Sequence, residues 1–350
     1  MKSAPEVIDF ALAFGWAFMI SVFAIPSIIR VAHLKNLLDE PNFRTVHVSL
    51  TPRLGGLAIF AGFMSSLTIF GVVTPVIQRL LAGCIVLFFV GLKDDITPIS
   101  PFKKFFIQIL ATGIVIFMAD VRLTSFQGLF GIYELDMSAS YGITFLAVVG
   151  ITNAVNLIDG LDGLAGTIIV LVTSLLGFYF YWYGAGGYEH FAGVAVCLVG
   201  GIMGFLRYNV RKAIIFMGDT GSLLCGFIVS IMVIEFVEMK TVPTAPAVAV
   251  AILIVPLFDT LRVFTTRILQ GRSPFSPDKN HIHHILLRAG MSQIGTVLVL
   301  AVVNLLVVGT VVFFSPVGNT MLVTGIVVVG VILGGVLEVS RRRNRQLART

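Results

Sequence analysis

The chain is short of charge and of cysteine. Acidic and basic residues make up 12% of its 350 positions, where a soluble domain carries about a quarter. A surface that poor in charge excludes an ordinary water-soluble domain. The 57% hydrophobic content excludes a disordered chain, which could not bury so much apolar material. The three cysteines, Cys84, Cys197 and Cys225, sit singly in apolar stretches, which excludes a disulfide scaffold and a cysteine-rich metal cluster. They read as small core residues. Strict alternation of apolar and polar residues, the mark of a transmembrane barrel, is also missing. What the chain has in quantity is long apolar runs, and these make it an integral membrane protein.

A hydrocarbon core needs about 20 apolar helical residues to cross it. Eleven runs approach that length: 8–29, 54–73, 75–92, 104–119, 141–158, 162–183, 190–206, 220–237, 244–264, 293–314 and 319–338. The ninth contains Pro256, Asp259 and Arg262, and the fourth is short. The expected fold is therefore an all-α membrane protein of about eleven transmembrane helices. Residues 1–340 form one polytopic domain, and 341–350 form a basic tail. The first run follows Glu6 and Asp9 rather than a basic segment, and no small-residue cleavage pattern closes it. It reads as a retained helix, not a signal peptide. The 120–140 segment reads as an outside loop without chemistry.

Lysine and arginine in short loops orient a membrane protein. With eleven spans, one set of connections holds 20 of the 24 basic residues and the other holds Lys2, Arg79, Arg122 and Lys240. The N-terminus is expected outside and the C-terminus in the cytoplasm, with the basic tail against anionic headgroups. Five of the six histidines, and the acids Asp39, Glu40, Asp94, Asp95, Asp159, Asp162, Asp219, Asp259 and Asp278, fall on the same side as the basic majority. The working face is expected there.

Four clusters carry that expectation. Lys93-Asp94-Asp95 ends the third run, with Lys103 and Lys104 close behind. Adjacent carboxylates repel, which raises a pKa or recruits a cation, although a solvated helix end would look the same. Asn153, Asn156, Asp159 and Asp162 follow one another at three-residue steps, so neighbours share a helical face. A tight Asp-Gly turn explains Gly160 and Gly163 but not two asparagines inside an apolar run, where polar groups are costly and usually functional. Met217-Gly-Asp219-Thr-Gly-Ser222 opens the eighth run. It reads either as a plain N-cap or as a phosphate site at a helix start. The spacing is not that of a Walker P-loop. Asp278-Lys279-Asn-His281-Ile-His283-His284 has no second ligand pair to complete a zinc site. With Arg272 and Arg288 near, the segment suits hydrogen bonding to phosphates or sugar hydroxyls. Acids for a hard cation and many basic donors on one face describe an enzyme that handles phosphates at a membrane.

These motifs, in this order, resemble those of the polyprenyl-phosphate N-acetylhexosamine-1-phosphate transferases. Pro41-Asn-Phe-Arg44-Thr-Val-His47 and Pro52-Arg-Leu-Gly-Gly56 match as well, and the likeness runs from about residue 30 to 292. The resemblance implies transfer of a sugar-1-phosphate from a UDP-N-acetylhexosamine to undecaprenyl phosphate, with release of UMP, at the cytoplasmic face of a bacterial inner membrane. It implies Mg²⁺, with Mn²⁺ as a substitute, held by Asp219 with Asn156 as a second contact. Asp94 would act on or position the lipid phosphate, with Asp95 supporting the metal site. Asp159 and Asp162 would shape the nucleotide and metal pocket, and His281 would take part in catalysis. Lys104 would touch phosphate, Asn209 and Phe216 would lie near uracil, and Lys279, His283 and His284 would close over the sugar diphosphate. Asn153, Arg44 and His47 complete the expected substrate contacts. Membrane lipids are the other partners, no nucleic acid is implied, and a homodimer stays open.

Two departures stand out. A third acid common in relatives after Asp94-Asp95 is replaced by Pro98, which weakens any account requiring three carboxylates there. The histidine segment is not the triple-histidine form of the phospho-N-acetylmuramoyl-pentapeptide transferases. That form, with eleven runs rather than ten, places the chain nearer the GlcNAc-1-phosphate branch, which primes O-antigen, common-antigen or teichoic-acid synthesis. The peptidoglycan-precursor transferase remains the alternative within the family. An ion-coupled transporter is the alternative outside it, and would need midplane acids and two repeats. A CDP-alcohol phosphotransferase would need an arginine that the run after Asp162-Gly163 lacks.

Overall fold

A computed structural model describes residues 4–38, 50–273 and 280–347, with side chains from 7 to 337. Arg44, His47 and Lys279 lie outside the described residues. Every apolar run is helical. In order the helices are α1 (Ala4–Leu34), α2 (Gly55–Phe70), α3 (Pro75–Ile96), α4 (Pro101–Ala119), α5 (Met137–Ile158), α6 (Leu164–Tyr183), α7 (His190–Asn209) and α8 (Gly218–Glu238). They continue with α9 (Ala245–Ile252), α10 (Ile254–Leu269), the short α11 (Ile282–Arg288), α12 (Gln293–Phe313) and α13 (Asn319–Leu347). Among the described residues nine helices are long and apolar enough to cross a membrane, and α9 with α10 would make a tenth. The remaining run, the second, is the 16-residue α2.

An apolar helix without a polar face belongs either in a core or in lipid, and the bundle contains both. The apolar stretch of α8 is 100% buried, packed against α2, α3, α5 and α6, whereas that of α13 is 6% buried. Phe102, Leu146, Leu269 and Phe313 likewise point outward from the bundle. An outer surface that apolar suits hydrocarbon, not water.

The ninth run breaks at Leu253, where α9 and α10 meet at 75°. Pro256 has no N–H, so the Ile252 carbonyl four residues earlier loses its helical partner. Asn304 of α12, fully buried, supplies one through Nδ2 at 3.1 Å. The proline that made this run doubtful as a single span thus bends it, and a buried asparagine satisfies the bend.

The 120–140 segment contains a small antiparallel hairpin of β1 (Ser125–Leu129) and β2 (Ile132–Glu134). Phe130 and Gly131 turn it, both at positive φ, the conformation of a type I′ turn. Asn319 ties this end together. Its Oδ1 accepts from Ala247 N at 3.1 Å, while Nδ2 donates to the carbonyls of Gln127 at 3.0 Å and Pro243 at 2.7 Å. The candidate site lies at the other end, where α3, α5 and α7 finish and α4, α6 and α8 begin.

Candidate active site

The site begins with a tight connection between α3 and α4. Ser100 caps α4 and Pro101 occupies its first position, which suits proline because that N–H has no helical partner. The turn is closed by Asp94, whose Oδ1 accepts from Ile99 N at 2.8 Å. It brings Lys104 back over α3, so that Nζ donates to Asp94 Oδ2 at 2.8 Å. The same ammonium pairs with Asp219 Oδ2 at the start of α8. Two carboxylates from different helices thus converge on one positive charge.

Asp95 faces the other way and caps α8. Its Oδ1 accepts from Asp219 N at 2.8 Å, and its Oδ2 accepts from Thr220 N at 2.9 Å and Thr220 Oγ1 at 2.5 Å. The residue preceding the helix, Met217, supplies no side-chain cap. Neither Asp219 nor Thr220 therefore caps the helix, as a plain reading of Gly-Asp-Thr would have it. The capping acid comes from α3, and the Asp219 carboxylate is released to the site. In this arrangement the first amides of α8 are engaged by Asp95.

Gly218 makes that approach sterically feasible. It has φ +71°, and a Cβ there would strike the Arg53 carbonyl and the Asp95 carboxylate. The Pro52–Gly56 strip forms the bed for this turn. Phe216 N donates to Pro52 O at 2.8 Å, Gly55 N to Phe216 O at 2.8 Å and Gly56 N to Met217 O at 2.9 Å. Phe216 is thereby fixed by its backbone, its ring half-buried.

The asparagines of α5 continue the polar stripe inward. Asn156 Nδ2 donates to Asp219 Oδ1 at 3.0 Å and Ser222 Oγ at 2.7 Å. One turn deeper, Asn153 and Gln108 of α4 exchange amide hydrogen bonds of 2.6 and 3.3 Å. Asp162 and Asn209 serve as ties. Asp162 Oδ2 accepts from Ala213 N at 3.1 Å, while Asn209 joins Gly163 N at 2.7 Å to Ile215 O at 2.9 Å. They fasten the turn after α5 to the strand of chain leading into α8, and they do not bond Asp219 directly. Asp159 stands half-buried between them and the acid cluster. Burial first, then the charges of Asp219, Asp95 and Asp162, raise its carboxyl well above the ordinary range, with Arg53 opposing.

The histidines approach on α11 and the residue before it. His283 is 1% exposed, neither ring nitrogen has a hydrogen-bond partner, and Nε2 lies close to Gly160. Burial first, then the charge of His284, pushes its pKa down to about 3, so it is neutral near pH 7. His281, His283 and His284 sit in a row with ring centroids 5.7 and 4.3 Å apart. The histidine segment therefore rests on the Asp159–Gly163 turn.

Sequence reasoning missed three participants. Arg53 lies within the Pro52–Gly56 motif and was visible there. Ser222 ends the Met217–Ser222 motif, where its partner Asn156 could not be read, and Gln108 carries no motif signal, since one polar residue in an apolar helix does not announce its partner. Among the described residues no three histidine, cysteine or acidic side chains form a ready metal-ligand set. The carboxylates that do converge, Asp94 and Asp219, already hold a cation, the Lys104 ammonium, and the Asn156 amide bonds Asp219 beside it. That donor chemistry fits a hard ion such as Mg²⁺.

Fold and site together define a multi-pass membrane protein with phosphate-type chemistry gathered at one end of a helical bundle. The model of a known family, described as glycosyl transferase family 4, matches residues 77–237, which run from α3 through α8. A Bacillus subtilis (strain 168) protein named probable undecaprenyl-phosphate N-acetylglucosaminyl 1-phosphate transferase is 34% identical over 294 residues, covering 82% of this chain and 81% of its own. The Escherichia coli (strain K12) undecaprenyl-phosphate alpha-N-acetylglucosaminyl 1-phosphate transferase is 34% identical over 286 residues, 79% of this chain and 77% of its own. A Yersinia pestis protein of the same name is 32% identical over 269 residues, 75% and 73% of the two chains. The chain belongs to glycosyl transferase family 4. Family and branch are those the motifs implied.

Proposed function

We propose that this protein transfers N-acetylglucosamine-1-phosphate from UDP-N-acetylglucosamine to undecaprenyl phosphate, releasing UMP, at the cytoplasmic face of a bacterial inner membrane. The product would prime a cell-envelope polysaccharide of the O-antigen, common-antigen or teichoic-acid type. The observation that carries this reading is the convergence of Asp94 and Asp219 on Lys104, beside a helix start capped by Asp95. Relatives named for this transfer support the choice of substrates.

The reaction asks the protein mainly for alignment and charge balance. An oxygen of the lipid phosphate attacks the β-phosphorus, and the bond from that phosphorus to the bridging oxygen breaks. UMP leaves with the electron pair. A phosphate monoester is already ionised near neutral pH, so no base must first remove a proton. Asp219 and Asn156 would hold Mg²⁺, which when bound neutralises diphosphate charge. Lys104 is placed to exchange its carboxylate partners for phosphate oxygens, and Asp94 to orient the incoming lipid phosphate. Asp95 keeps α8 and therefore Asp219 in place. His281 and its neighbours cover the turn after α5, where they can donate to the sugar diphosphate.

Purified enzyme given UDP-GlcNAc, UDP-GalNAc and UDP-MurNAc-pentapeptide in turn, with undecaprenyl phosphate, tests the reading. Lipid-dependent UMP release should be strongest with UDP-GlcNAc. Preference for the pentapeptide donor would move the protein to peptidoglycan synthesis. Exchange of labelled UMP into the donor without lipid would replace direct attack by a two-step route through a carboxylate nucleophile.

A further inference from the structure

Asp259 lies on α10, outside every motif, and yet it organises the histidine segment. Its side chain is 1% exposed. Oδ1 accepts from Arg262 Nη2 at 3.0 Å and from Ile282 N at 2.8 Å, the first amide of α11. Oδ2 lies 2.8 Å from His281 Nδ1. Arg262 Nη2 also donates to the Asn280 carbonyl. Three groups, one from α10 and two from the start of α11, are thus gathered on one buried carboxylate, and Arg262 ties in the Asn280 carbonyl as well.

An ionised carboxylate only accepts hydrogen bonds. Bonded to Arg262 and to an amide N–H, Asp259 is in its acceptor form, so the proton of the Asp259–His281 contact belongs to His281 Nδ1. That fixes the tautomer. Nε2 is left with no hydrogen-bond partner among the described residues, on the segment that rests against Gly160.

We propose that Asp259 is the positioning residue of His281. It sets the Nδ1–H tautomer and the ring plane, and it stabilises the imidazolium that donates from Nε2 to an oxygen of the diphosphate. The inference rests on the transfer reading above for the identity of that oxygen, but not for the pairing itself. The charged and titratable groups around His281 are Asp259 and Arg262 from α10 and His283 and His284 from α11.

The experiment uses full-length protein in lipid nanodiscs. Histidine labelled with ¹⁵N, with His281→Gln to assign the signal, should show Nδ1 protonated in the resting wild-type protein. In Asp259→Asn the maximal rate of UMP release should fall on the order of 10–100-fold, the scale on which a carboxylate supports a working imidazole. The KM for donor should change much less. Asp259→Glu should recover part of the rate. The double variant with His281→Gln should be no slower than His281→Gln alone. An Nε2–H tautomer in the wild-type protein, or effects that multiply in the double variant, would overturn the proposal. If the wild-type protein released no UMP from any UDP-N-acetylhexosamine, the transfer reading would fail while the tautomer measurement still judged the pairing. The same measurement decides if Asp259→Asn does not fold.

Discussion

At the C-terminal end of α8, Glu238 accepts from Thr124 N at 2.8 Å and Thr124 Oγ1 at 2.7 Å, and Lys240 reaches the same hydroxyl at 3.0 Å. Asn319 closes the neighbouring gap with three further hydrogen bonds. The groups named here have neutral backbone or hydroxyl partners and a closing task. At the N-terminal end of the same helix, Asp94, Asp95, Asp159 and Asp219 are held in one region, with Lys104 and Arg53 as the opposing charges. Like charges brought together cost stability. Four carboxylates against two basic groups, with Asp94 and Asp219 sharing one lysine, suit this end to a ligand carrying the missing charge.

Four changes sharpen or break that contrast. The largest effect is expected from Asp219→Ala, which should reduce UMP release by about 1000-fold or more, equivalent to roughly 4 kcal/mol. The thermal midpoint in detergent should stay close to the wild-type value, since a like charge has also been removed. Near-normal Mg²⁺-dependent activity would take Asp219 out of the metal role. Asp95→Ala should fail differently, because it removes the cap of α8. It should cost about 2–3 kcal/mol of stability as well as activity, read from denaturation and from turnover per folded molecule. A variant of full stability would show that Asp95 is not the cap.

Asn319→Ala tests the opposite end. It should cost about 2 kcal/mol, while turnover per folded molecule stays within experimental error. Loss of turnover in a folded variant would erase the distinction between the ends. The smallest effect concerns pH. Asp159 has a raised native pKa, whereas in the unfolded chain its proton leaves near pH about 3.9. Its contribution therefore favours the fold at low pH and is lost as pH rises through the native value. Without divalent cations the protein should gain on the order of 1 kcal/mol in moving from neutral to mildly acid pH, discounted for partial exposure. Asp159→Asn should flatten that profile, and an unchanged profile would remove Asp159 from the charge cluster.

Much of this contrast is legible in the sequence because membrane proteins restrict where charge can go. The apolar runs mark the helices, and the polar residues inside or bordering them, Asn153, Asn156, Asp94 and Asp219, mark the candidate site. What the sequence leaves open is which polar residue answers which. Asp95 caps a helix 124 residues away, and nothing local distinguishes it from Asp94. Pro256 signals trouble in the ninth run, but the bend is completed by Asn304, 52 residues beyond the Ile252 carbonyl that it satisfies. The hairpin at 125–134 is hidden because its turn is Phe-Gly rather than Asn-Gly. Asp259 looks like an awkward charge in a span until α11 folds back over it.

The central claim is that the acid-rich end moves a sugar-1-phosphate onto a lipid, and labelled donor tests it most directly. Enzyme in nanodiscs with undecaprenyl phosphate and Mg²⁺ receives UDP-GlcNAc carrying ³²P at the β-phosphorus. The account predicts that the label partitions into the lipid phase, with unlabelled UMP released in equal amount. Label recovered as water-soluble sugar phosphate, or as intact donor with no UMP formed, would contradict it.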